Sequence, residues 1–170
     1  MKIFLIVAGG IVLLIVCIVV IGALLPRAHV VSRAAAYKAT PERLFALIAG
    51  PQNWRPDVLH YESASGPPGH NLMRETTRNG ETITYEILDS KPPESMKRRI
   101  ATENLPYSGT WTYSLQPQGE VTIVRITENG EVYNPVFRFV SRFIIGHTST
   151  MDAYLRALGK ATQQEVQPTD

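Results

Sequence analysis

The sequence predicts an α+β domain, a curved antiparallel β-sheet of about seven strands wrapped on a long C-terminal α-helix, preceded by one transmembrane helix. Three observations carry that expectation. An uncharged apolar run extends from Ile3 to Leu25. Short alternating segments joined by tight turns follow between Leu72 and Tyr133. A helical period then opens at Asn134-Pro135 and continues to about Leu158.

The apolar run comes first. About 20 apolar residues at roughly 1.5 Å rise each cross a hydrocarbon core of about 30 Å, so Ile3–Leu25 is expected to span a membrane. A secretory signal has a shorter apolar region, about 7–15 residues, and closes on a small-x-small cleavage site. This run leaves through Leu24-Leu25-Pro26-Arg27, and an uncleaved anchor is expected. Cys17 follows the bulky Val16, which does not suit a lipoprotein signal, and it reads as an apolar side chain within the span. Lys2 precedes the run, whereas Arg27, Arg33 and Lys38 follow it, which favours the cytoplasmic side for the remainder of a single-pass protein, while so short a leading segment leaves the opposite topology open. The expected organisation is residues 1–28 as anchor and exit, 29–160 as one soluble domain, and 161–170 as a flexible polar tail.

Within the domain, His29 to Tyr37 alternates and carries β-branched residues, as a first strand would. Thr40-Pro41-Glu42 starts a helix with a hydroxyl cap, a first-turn proline and an acid. Leu44, Phe45, Leu47 and Ile48 continue it at helical spacing, and Gly50-Pro51 stops it. Gln52 to Pro56 forms a short second helix or a turn. Val58 to Gly69 ends in the loop Gly66-Pro67-Pro68-Gly69. Leu72–Arg78 and Thr82–Leu88 flank Asn79-Gly80, a hairpin signal. Pro92-Pro93 precedes Ser95–Thr102. Gly109–Leu115 and Val121–Glu128 flank a turn with Pro117 and Gly119, and Asn129-Gly130 is read as another turn before Glu131-Val132-Tyr133. In the closing helix Val136, Val140, Ile144, His147, Met151, Leu155 and Leu158 share one face, with Arg138, Arg142 and Asp152 opposite. Such a helix buries its stripe on the apolar face of the sheet, and a strongly twisted sheet leaves a space beneath it for small apolar ligands.

Bulk properties exclude several functions. A net charge of +2 over 170 residues does not make the dense basic surface that tracks nucleic acid. A single cysteine excludes an intramolecular disulfide and a cysteine-based metal site. There is no Gly-rich phosphate loop, no His-x-x-x-His spacing and no nucleophile elbow, so neither metal nor cofactor is expected.

Several segments in combination resemble the START/SRPBCC superfamily, in its polyketide cyclase/dehydrase-like, helix-grip branch. They are Ala39-Thr40-Pro41-Glu42-Arg43-Leu44-Phe45-Ala46-Leu47-Ile48 with Trp54 after it, Gly109-Thr110-Trp111-Thr112-Tyr113-Ser114-Leu115, Val124-Arg125-Ile126-Thr127-Glu128-Asn129-Gly130, and Asn134-Pro135-Val136-Phe137-Arg138-Phe139. The resemblance covers about His29 to Gly159. It implies a fold with a hydrophobic cavity rather than a reaction, because members include lipid carriers, receptors, quinone binders and cyclases.

Candidate residues follow from face and spacing. Trp111, Tyr113 and Leu115 share one strand face, and Ile83, Tyr85 and Ile87 another; they form either cavity wall or solid core. Met151 on the helix stripe is expected to join the wall. Trp54 sits near the cavity mouth or simply packs. His147 hydrogen-bonds a ligand or acts as acid/base, or else it is a satisfied core histidine, the commoner case. Glu128, on the face of Val124 and Ile126, pairs with His147 as a dyad if that face is the inner one; otherwise it is an exposed strand-end glutamate. Arg98 either holds an anionic head group or snorkels to water. The leading expectation is a membrane-anchored binder of a lipid, quinone or aromatic molecule. A cyclase/dehydratase-type enzyme using His147, and a structural membrane-complex module with a filled core, are the alternatives. A cavity above about 300 Å³ separates the first two from the third.

Overall fold

A computed structural model describes residues 2–170. Helix α1, Lys2–Leu24, is followed by strand β1, Ala28–Tyr37, and helix α2, Pro41–Ala49. Six strands come next: β2 Val58–Ala64, β3 Leu72–Thr77, β4 Thr82–Lys91, β5 Ser95–Ile100, β6 Tyr107–Gln118 and β7 Val121–Val132. Helix α3, Pro135–Val140, runs into a π-helical turn, Ser141–Ile145, and α4, Ser149–Ala161, closes the fold. All seven strands form one antiparallel sheet in the order β1-β7-β6-β5-β4-β3-β2. β2 to β7 are a meander, and β1 returns to the far edge beside β7.

Local chemistry explains the boundaries. The Thr40 hydroxyl accepts from the Arg43 N–H at the start of α2, with Pro41 in its first turn. The buried Gln52 amide donates to the carbonyls of Leu47, Ile48 and Gly50. The Trp54 indole N–H donates to Leu47 as well, so carbonyls left open at the end of α2 are satisfied by side chains. Residues 52–56 are therefore a capping turn rather than a second helix. Gly80 sits at φ +83° in the hairpin between β3 and β4, a conformation only glycine adopts freely.

Two expectations change. The Asn129-Gly130 pair makes no turn but continues β7 to Val132, opposite Thr110 and Gly109 of β6. The long closing helix is interrupted. Its period is rephased by the π turn and broken at Gly146, where φ is +81°. Val136 and Ile144 are consequently exposed, while Arg138, expected on the wet face, is buried. At the C-terminus Thr169 bridges to Ala34 and Asp170 pairs with Arg33, which also pairs with Asp152 of α4.

The solid core lies at one end, where Tyr37, Leu44, Ile48, Tyr113, Val124, Ile126, Met151, Leu155 and Leu158 are fully or almost fully buried. The Tyr37 hydroxyl, inside this core, donates to the Leu155 carbonyl at 2.8 Å and ties β1 to α4. Tyr37→Phe is expected to lower stability by about 1 kcal/mol, the usual net value of one buried hydrogen bond. Denaturant midpoints of the detergent-solubilised protein check this, and an unchanged midpoint would show that the bond contributes nothing net.

Helix α1 is long and apolar enough to cross a membrane and is not covered by the rest of the fold. Its last turn docks on the domain. A Cβ on Gly22 would stand 1.9 Å from the Pro135 carbonyl oxygen, so only glycine permits this approach to α3. The Arg138 guanidinium donates to the Leu25 carbonyl at 2.9 Å and to Ala23, capping α1 from the side.

Candidate functional site

Where the core ends, sheet and helices separate. A cavity of about 440 Å³ lies between the inner faces of β3 to β7 and the segment running from α3 to the first half of α4. The C-terminal half of α4 seals the core, and its N-terminal half, through Thr150, Ala153 and Tyr154, roofs the cavity.

The cavity has two chemically distinct regions. At one, the carboxylate of Glu128 is held on both oxygens: the His29 Nε2 lies 2.9 Å from Oε1, and the Trp111 indole N–H donates to Oε2. The imidazole of His147 stacks on that of His29 with centroids 4.0 Å apart. Burial, reinforced by the neighbouring His29, pushes the His147 pKa below its ordinary value, so the ring is neutral at pH 7 and able to accept a proton. Gly130 makes this cluster possible, because a Cβ there would stand 2.5 Å from the His29 ring and 2.9 Å from Glu128.

The other region is cationic and aromatic. Arg98 is 4 % exposed and its guanidinium lies 4.5 Å from the Tyr85 ring centroid and 5.4 Å from that of Trp111. Tyr113 and Tyr154 complete the surround at 5.3 and 5.9 Å. Burial raises the phenol pKa of Tyr85 and of Tyr154 to about 12, so both are neutral hydroxyls at any physiological pH. Beside them Arg55 donates to Glu75 at 2.8 Å, an ion pair in which both side chains are buried. Among the described residues no cluster of three His, Cys, Asp or Glu is arranged to hold a metal ion.

A concave, mostly apolar space roofed by a C-terminal helix, with a few polar groups converging on it, is the architecture of a small-molecule site. Residues 28–162 match the family described as polyketide cyclase/dehydrase and lipid transport. The chain belongs to that family. No curated protein matches it in sequence. Among solved structures, norcoclaurine synthase from Thalictrum flavum is similar over 79% of this chain and 86% of its own, with a TM-score of 0.60 and 13% identity. The di-domain ARO/CYC StfQ of the steffimycin biosynthetic pathway is similar over 77% of this chain and 50% of its own, with a TM-score of 0.58 and 12% identity. A protein from Arthrobacter aurescens is similar over 76% and 84%, at a TM-score of 0.56 and 14% identity. At such identities the likeness establishes the helix-grip fold that the polyketide cyclase/dehydrase family shares.

Within this family member, the structure brings Ile83, Tyr85, Trp111, Glu128 and His147 to the cavity. It does not bring Tyr113, Met151 or Trp54 there. Tyr113 and Met151 have no exposed surface and belong to the solid core. Trp54 caps α2 and packs edge-on against Tyr154 at 5.3 Å. His147 departs from its expected setting: it occupies the break after the π turn, not the stripe of a continuous helix, and it touches His29 while Glu128 is engaged elsewhere. His29 is the residue that sequence reasoning missed. Its partner is 99 positions away, and only the β1–β7 register, which sets His29 opposite Gly130, brings the two together.

Proposed function

We propose that the protein is a membrane-anchored carrier or receptor that holds one hydrophobic small molecule in the cavity between sheet and C-terminal helix, with its domain on the cytoplasmic side. The observation that carries this reading is where the cavity meets the anchor. Phe137 of α3 and Ser141 and Ile145 of the π turn line the cavity, and α1 docks on that same segment through Gly22 and Arg138. Phe137, Phe143, Ile144 and Ile145 leave much of their apolar surface exposed on this segment. A membrane-dissolved ligand held near such an entrance meets it at high effective concentration. A lipid, quinone or aromatic compound suits the lining.

The test is to purify the full-length protein from its native membrane and identify what copurifies by native mass spectrometry. A bound apolar compound, and its uptake again after delipidation, is the expected result. A delipidated protein that takes up no lipid, quinone or aromatic probe refutes the proposal. The anchor is checked in the same preparation: alkaline washing should leave the protein in the membrane at its full mass, and a chain lacking the segment through Leu25 would refute anchoring.

A second reading, acid–base catalysis of the cyclase/dehydratase kind on the bound molecule, is favoured by the carboxylate–imidazole pair at the cavity wall. In that reading His29, oriented by Glu128, shares the proton work with the neutral His147.

A further inference from the structure

Arg98 has a peculiarity that the apolar reading of the cavity does not use. Its Nε and Nη1 are fully buried and donate to no acceptor among the described residues. Glu75, the buried carboxylate of this region, is committed to Arg55 and makes no hydrogen bond to Arg98. The other carboxylate on Arg55, that of Asp57, is more than half exposed. The region thus holds two buried guanidinium groups against one buried carboxylate; both arginines line the cavity, and the one without a carboxylate partner is Arg98.

Physical cost makes this arrangement informative. A buried guanidinium stays charged, and leaving its donors unsatisfied is strongly unfavourable. The rings of Tyr85, Trp111, Tyr113 and Tyr154 offset part of that through cation–π attraction, but a ring face accepts no N–H in the plane of the fork. A chain that merely needed to fill this position would carry an apolar residue, since a well-packed one is at least as stable as a buried ion. Arg98 also does not snorkel. It sits mid-strand in β5, opposite Trp111 of β6 and Ile87 of β4, with its head turned into the interior.

We infer that Arg98 is the recognition residue for an acidic head group, and that the ligand is an amphiphilic carboxylic acid whose apolar body fills the cavity and whose carboxylate accepts from the Arg98 guanidinium. The inference rests on the ligand-binding reading above and narrows it from apolar compounds in general to organic acids. A planar guanidinium matches a carboxylate in shape as well as in charge. The dry aromatic surround strengthens that interaction.

The experiment uses cis-parinaric acid and its methyl ester, a fluorescent pair that differs only in the charge of the head. Each is titrated into full-length protein reconstituted in phosphatidylcholine vesicles, with protein-free vesicles as the blank. The wild type is expected to bind the acid about tenfold more tightly than the ester, the worth of one charge-assisted hydrogen bond. Arg98→Met is expected to bring the two within about twofold of each other by weakening only the acid, leaving ester affinity in place as evidence that the cavity is intact. On the wild type alone, lowering the pH until the probe's carboxyl protonates should abolish the preference without any substitution. Equal binding of acid and ester by the wild type, or a preference that survives Arg98→Met, overturns the assignment of Arg98 while leaving the ligand-binding reading standing. Binding of neither probe overturns both.

Discussion

Arg55→Met is expected to destabilise the protein by about 3–5 kcal/mol, the range for removing one partner of a buried ion pair. Arg55 is 9% exposed and Glu75 only 3%, and the 2.8 Å contact between them is the main compensation for taking both charges out of water. Arg55 also pairs with Asp57 and lies 5.4 Å over the Tyr154 ring, so it joins the turn after α2 to β3 and α4. Losing the cation leaves the buried Glu75 carboxylate without the partner that donates to it. The double substitution Arg55→Met with Glu75→Leu should recover most of the loss, because the penalty lies in the orphaned charge rather than in the absent bond. Urea denaturation of the detergent-solubilised single and double variants measures both. A single variant within about 1 kcal/mol of wild type would show that water reaches the pair and that the cavity floor is not dry.

This pair also marks where sequence reading stops. The alternation that defines the strands was legible from Leu72 onward, because most inward positions carry an apolar side chain such as Ile83, Met96, Tyr113 or Val124. β2 was not legible. It is an edge strand whose one buried residue is Val58, so no alternation marks it. Arg55 and Glu75 are buried charges, and nothing in their neighbours distinguishes them from solvated ones; only the fold makes them partners. The two Asn-Gly pairs teach the same lesson. Gly80 serves a hairpin by adopting positive φ, whereas Gly130 lies in an extended strand and serves by having no side chain against His29. The same dipeptide answers two needs, backbone freedom in one place and space in the other. Glu128 lies on the same inner face as Val124 and Ile126, as strand periodicity implies, but its imidazole neighbour arrives from β1, a strand that follows α1 and pairs with β7 across almost the whole domain.

Gly146→Ala is expected to be the other costly substitution, and it tests why the closing helix is broken where its apolar period is continuous. The apolar period runs through Gly146 without a break, since Ile144, His147 and Met151 keep helical spacing. The backbone does not follow it. At φ +81° and ψ 144° Gly146 occupies a region essentially closed to residues with a Cβ, and forcing alanine there costs about 1–3 kcal/mol. The strained chain has a way out, which is to extend the helix through position 146. That turns His147 away from His29 and removes the break between Phe137 and Ile145 before it and Thr150 and Tyr154 after it, all of which line the cavity. Two measurements follow. The denaturation midpoint should fall. The His147 titration, read by proton–nitrogen NMR of the imidazole, should move up toward the ordinary histidine value as burial and the repelling His29 are lost. The sign carries through to stability. In the wild type the depressed His147 pKa means folding favours the neutral ring, so stability present above an unfolded value of about 6.5 is lost as pH falls below it. In Gly146→Ala that acid sensitivity should shrink. A variant with wild-type stability and an unmoved His147 titration would show that the break is not held by glycine, and that the histidine stack owes its geometry to something other than the interrupted helix.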